Sequence, residues 1–133
     1  MNSPAHDVAL YLASVGVGPF ASAADWAINV GAEPNSPDRT ITLYDVGGGD
    51  ADTDELDVFV NYIQVRTRGA YAEAYAKQRA IRQFLIHPMK INADTSIFTA
   101  IDLTSDVGSL GMDNNNRFIL TANYRTRRTE KEA

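Results

Sequence analysis

The chain has 133 residues, 44% hydrophobic and 22% charged, which suits one globular domain and argues against wholesale disorder. Twelve Lys and Arg against seventeen Asp and Glu leave a formal charge of −5, opposite in sign to a protein that grips nucleic-acid phosphates. Cysteine is absent, which removes disulfides, thiolate metal sites and cysteine nucleophiles from consideration.

The uncharged run Val8 to Ala24 ends in Ala21-Ser22-Ala23, a small-residue pattern that invites a signal-peptide reading. His6 and Asp7 stand where a basic n-region belongs, and Gly16, Gly18 and Pro19 interrupt any spanning helix, so a cleaved or membrane segment is not expected. The same run opens with a well-signalled helix. Ser3 suits the cap, Pro4 the first helical position and Asp7 the positive helix end. Ala5, Val8, Leu12 and Val15 recur at helical spacing with Tyr11 beside them, and Gly16 ends the element.

Trp26, Ile28 and Val30 alternate with Ala27 and Asn29, which predicts a half-buried strand. Glu33 to Arg39 reads as a Pro-containing loop, and Thr40 to Tyr44 as a second strand. Residues 45–57 hold three consecutive glycines and the acids Asp45, Asp50, Asp52, Asp54, Glu55 and Asp57 with no base, which predicts a mobile, solvated acidic loop. Val58 to Thr67 carries apolar residues on both faces, as a central strand covered on two sides would.

A second helix is predicted from about Gly69 to Ile86, stopped at His87-Pro88. Ala70, Ala74, Ile81, Phe84 and Leu85 share the face expected to meet a sheet. Tyr71, Tyr75, Gln78 and Arg82 form a second stripe with Arg79 at its edge. Two more strands alternate through Ile97 to Leu103 and Phe118 to Tyr124. Ser105 to Asn116 is predicted to be a long hairpin loop, and the charged tail 125–133 is predicted to fray. The expected architecture is a single α+β domain over 1–133. It has a mostly antiparallel or mixed sheet of about five strands with two helices packed on it. A crossover through the second helix would allow one parallel pair.

Asp50-x-Asp52-x-Asp54 resembles the start of a calcium loop, but the sixth and twelfth positions hold Glu55 and Asn61 in place of the required Gly and Glu. Gly47-Gly48-Gly49 lacks the following Lys-Ser/Thr of a phosphate cradle. His6 and His87 have no partners at triad or ligand spacing, and no serine sits in a nucleophile elbow. No catalytic residue, metal site or cofactor is therefore expected, and the protein is read as a non-enzyme. Arg66, Arg68, Lys77, Arg79 and Arg82 make the second helix and its approach basic, opposed only by Glu73. Basic residues on a helix usually form a solvated face. Tyr71 and Tyr75 running beside them favour an interface, because Tyr and Arg are enriched where proteins meet. An acidic loop and a basic helix on one chain permit head-to-tail pairing of copies.

Val65-Arg66-Thr67-Arg68-Gly69 leads into an Ala-rich helix ending at Phe84-Leu85. Leu110-Gly111-Met112-Asp113 later precedes Arg117-Phe118-Ile119-Leu120-Thr121-Ala122-Asn123-Tyr124. In order and spacing these segments resemble the phage minor capsid or tail-terminator family over most of the chain. The resemblance implies a ring, typically a hexamer, that caps the tail tube, docks to the head–tail connector or neck protein and lets DNA pass without specific binding. It implies a place in the virion tail at its head-proximal end, with assembly in the host cytoplasm and no membrane partner. Arg66, Arg68, Tyr71, Tyr75, Arg79 and Arg82 would then carry subunit contacts, while Asp50, Asp52, Asp54, Glu55 and Asp57 would line the channel. A head-completion or neck protein is the alternative in the same virion; a small-ligand or metal-binding α+β domain is the alternative of another class.

Overall fold

A computed structural model of the chain describes residues 1–47 and 58–131. Its elements are α1 (Pro4–Ser14), β1 (Ala27–Val30), β2 (Thr40–Val46), β3 (Val58–Gly69), α2 (Tyr71–Ile86), β4 (Ile91–Asn92), β5 (Ser96–Met112) and β6 (Phe118–Glu130). The strands form one sheet in the order β1-β2-β3-β6-β5-β4, parallel between β1 and β2 and antiparallel elsewhere. The fold is α+β, with six strands where about five were expected. The parallel pair is also not the one anticipated: β6 lies between β3 and β5, so the α2 crossover creates no adjacent parallel strands.

Both helices pack on one face of the sheet, α1 over β1, β2 and β3, and α2 over β3, β6 and β5. The core between them holds Ala5, Val8 and Leu12 of α1, Ile81 and Leu85 of α2, and the inward-facing Ile28, Ile41, Leu43, Ile63, Val65, Ala122 and Tyr124. Burial of these apolar side chains is the main favourable contribution to folding. The Ser3 hydroxyl accepts from the His6 amide at the start of α1, and Gly16 at φ +84° follows its end, a conformation that costs glycine least. Val15 caps the helix and is exposed, so it does not join the core as its spacing suggested.

The long loop expected at 105–116 is mostly strand. β5 continues to Met112 with four register shifts against β6, and the turn is confined to residues 113–117. Glycine, serine and aspartate are accommodated there as irregularities of an edge strand, so they do not end it. The predicted fraying of the tail also fails for Arg125 to Glu130. These residues pair with β3 on one side and β5 on the other, burying Thr126 and Arg128. Two-sided pairing outweighs the local charge. Trp26 precedes β1 in a left-handed conformation, φ +60°, and does not alternate within the strand; Ala27 and Ile28 are both buried.

β3 is central, but its two faces differ. Ile63, Val65 and Thr67 face the helices, while Tyr62, Gln64 and Arg66 on the opposite face are only half-buried. The 33–39 loop covers the Arg66–Arg68 end of that second face, and Val60 toward its other end is buried as well. Of residues 45–57, only Asp45, Val46 and Gly47 are described, the first two as the end of β2. The rest of the predicted acidic loop lies outside the described residues.

Candidate subunit interface

α2 begins immediately after β3 and is fixed on the sheet by polar as well as apolar contacts. The Gln78 amide nitrogen donates to the Val65 and Leu120 carbonyls at 2.9 and 3.2 Å, and the Thr67 hydroxyl donates to the Ala74 carbonyl at 2.9 Å. Ala74, Gln78, Ile81 and Leu85 therefore form the buried face. Two expectations are corrected by this rotation: Gln78 belongs to the core and not to the polar stripe, while Ala70 and Phe84 are exposed. Asn, Gln and similar side chains are acceptable in a core when hydrogen-bonded, which a periodicity count cannot register.

The rotation sets two different flanks on α2. Toward α1, Lys77 reaches the Val17 carbonyl at 3.1 Å and lies 4.8 Å from the Trp26 ring centre, with Arg39 on the same indole at 5.9 Å. Arg39 also pairs with Asp25 and Glu73. Burial lowers the Lys77 pKa from its ordinary value. Toward β5 lie Tyr71, Tyr75, Arg79 and Arg82. Tyr71 is 50% and Tyr75 42% exposed, and Arg79 is exposed with no hydrogen bond or ion pair among the described residues. Arg82 approaches Asp106 of β5 at 3.7 Å, and the Tyr71 ring meets Phe118 of β6 edge-on, 5.3 Å between centres.

Arg66 and Arg68 are not part of this flank. They project from the other face of β3 and hold the 33–39 loop. Arg66 pairs with Glu33 at 3.0 Å, donates to Gln64 and lies over Tyr44 at 4.8 Å. Arg68, buried, donates to the Pro37 and Asp38 carbonyls at 2.7 and 3.2 Å. Arg117 secures the same loop through the Asn35 carbonyl at 2.6 Å and pairs with Asp113 at 2.8 Å, which holds the Asp113 carboxyl down at about 2. The structure thus joins four of the six interface candidates and separates two. Asp50, Asp52, Asp54, Glu55 and Asp57 lie outside the described residues.

Sequence reasoning missed the apolar neighbours of this flank. Leu110 and Met112 are 58% and 52% exposed at the end of the β5–β6 hairpin, and Met112 is the register partner of Phe118. Two large apolar residues inside a stretch read as a long hairpin loop were the available signal. Three surface concavities, of about 340 Å³ between α1 and β4, 530 Å³ around Gln64 and Asn123, and 480 Å³ at the start of α2, are lined by neither histidine. No group of three metal-capable side chains occurs among the described residues. His6 rests against Phe20, and His87 follows α2 at the surface.

Among the described residues the exposed Tyr-Arg flank stands out, and no group of metal-capable side chains competes with it. The family model described as bacteriophage tail terminator protein matches residues 11–130. The chain belongs to the bacteriophage tail terminator family. The match runs from within α1 to the end of β6, so both helices and the whole sheet belong to the family region of this terminator. A comparison with individual curated proteins finds no match. The family assigns a structural role in the phage tail. No helix among the described residues is long and apolar enough to cross a membrane.

Proposed function

We propose that this protein closes into a ring, a hexamer, that caps the finished tail tube and presents a docking surface to the head connector or neck protein. The observation that carries the reading is the β5-facing flank of α2. Tyr71, Tyr75 and Arg79 are held on a rigid helix, exposed and, for Arg79, without an ionic partner among the described residues. Such residues contribute strongly when buried between proteins. Arg82 extends this contact. Arg66 and Arg68 support it indirectly by fixing the opposite face of β3.

A ring that matches the last tube ring on one side and lacks a subunit-adding surface on the other stops growth by shape, with no reaction or cofactor. Individual contacts need only modest strength, because a closed ring engages many at once. In this reading Asp50, Asp52, Asp54, Glu55 and Asp57 line the channel, where carboxylates repel phosphate and DNA passes without adhering. Assembly takes place in the host cytoplasm and leaves the protein at the head-proximal end of the tail. Electron microscopy of particles made without this protein tests the function. Overlong tails are expected, and tails of normal length would refute it. A neck protein in the same virion is the second reading, and its loss would leave tails of normal length that fail to join heads.

A further inference from the structure

The sheet face turned away from the helices carries the concavity of about 530 Å³, within the size range of small-molecule sites, about 300–1,000 Å³. Its polar lining comes from three adjacent strands: Tyr62 and Gln64 of β3, Asn123 of β6, and Thr104 and Ser105 of β5. A register shift between Leu103 and Ser105 sets Ser105 opposite Asn123 and leaves Thr104 as the extra residue, so one bulge supplies two hydroxyls to the cavity. The amide orientations follow from Arg66, which only donates. Arg66 pairs with Glu33 at 3.0 Å, and its Nε donates to the Gln64 oxygen at 2.7 Å, which turns the Gln64 nitrogen to the Asn123 oxygen at 3.3 Å. The Asn123 nitrogen is left as a donor without an acceptor among the described residues. The hydroxyls of Tyr62, Thr104 and Ser105 likewise make no hydrogen bond among them. Charge is balanced on this face: Arg66 has Glu33, and Arg125, the register partner of Tyr62, has Asp102 at 3.8 Å.

We propose that this cavity binds a neutral saccharide unit, with the Asn123 nitrogen and the hydroxyls of Tyr62, Thr104 and Ser105 as its hydrogen-bonding groups. The inference is independent of the ring reading. A sugar hydroxyl both donates and accepts, which matches three hydroxyl side chains set beside a fixed amide donor. The Tyr62 ring and its register partner Val46, 42% exposed, offer an apolar wall to the C–H face of a pyranose. A phosphate-bearing ligand gains little here, because the flanking arginines already hold carboxylates. An extended peptide finds no free main chain at the centre of the site: β3 and β6 are paired on both sides, so only their side chains are available.

The test is titration of the isotope-labelled whole chain with D-glucose, D-galactose, D-mannose and N-acetyl-D-glucosamine, read by backbone and side-chain amide NMR signals. Saturable shifts centred on Tyr62, Gln64, Thr104, Ser105 and Asn123 are expected with at least one of these sugars. Thr104→Val removes one hydroxyl at nearly constant size. Asn123→Asp removes the amide donor and keeps an acceptor for Gln64. Each is expected to weaken the binding about tenfold while the melting temperature holds. Glucose 6-phosphate is expected to bind no more tightly than glucose. Saturation with none of the sugars, shifts spread over the whole surface, equal affinity for glycerol, tighter binding of the phosphate ester, or an affinity unchanged in both variants would overturn the site. Because none of these outcomes bears on assembly, the ring reading stands or falls separately, by sedimentation of the same samples.

Discussion

At Asp7 a fully buried carboxylate lies 3.5 Å from the Arg128 guanidinium, which is itself 4% exposed. Burial alone would raise the Asp7 pKa. Hydrogen bonds from Ser96, Thr95 and Asn2 outweigh it and hold the pKa below the ordinary 3.8. The network ties α1 to β5 and β6 through contacts 88 to 121 residues apart in sequence. Asp7→Asn leaves a buried guanidinium without its counter-charge and is expected to cost about 3–5 kcal/mol in denaturant unfolding. A loss below about 1 kcal/mol would remove the pair from the stability account. Asp7 and Asp113 both have folded values below their unfolded ones. The stability they contribute is therefore complete above the unfolded value of 3.8 and is lost as pH falls through the folded values, for Asp113 between 3.8 and about 2. Acid titration of the melting temperature should stay flat above pH ~5 and fall below ~4.

Among the elements, the short connection between α1 and β1 and the arginine-held loop lead to separate expectations. A Cβ at Gly18 would stand 2.1 Å from the Trp26 carbonyl oxygen, a backbone contact that cannot yield without moving the segment. Gly18→Ala is expected to destabilise by about 1–3 kcal/mol and to shift the emission of Trp26, the single tryptophan. Unchanged emission and stability would contradict the packing of 17–26 against α2. Arg68→Ala should speed hydrogen exchange in residues 33–39 and lower stability without changing the oligomer. Arg79→Glu with Arg82→Glu should do the reverse, leaving stability within about 0.5 kcal/mol while breaking the ring.

The contrast between those variants reflects what the sequence could and could not express. Both helices, the β2 and β3 strands and the Tyr71-Tyr75-Arg79-Arg82 flank follow from periodicity, because each alternation is local. The split of Arg66 and Arg68 from that flank depends on strand β3 turning into α2 at Gly69, which sends neighbouring basic residues to opposite sides of the sheet. β5 beyond Leu103 and β6 beyond Tyr124 were illegible for another reason: their order comes from pairing partners distant in sequence, against a composition of Gly, Asp, Arg and Thr that locally favours loop.

On the scale of the whole molecule, the helices and the arginine-held loop leave the β5 side of α2 as the place where aromatic, thioether and guanidinium groups meet solvent together. Membership of the tail terminator family sets that surface on a structural protein of the phage tail, and the ring proposed above would use it between copies. The most direct measurement is the position of this protein in intact tails, by electron microscopy of particles carrying a label on it. A single closed ring at the head-proximal end of the tube is expected, with the Tyr71-Tyr75-Arg79-Arg82 flank of α2 between neighbouring copies. Label spread along the tube, or confined to its distal end, would contradict the account.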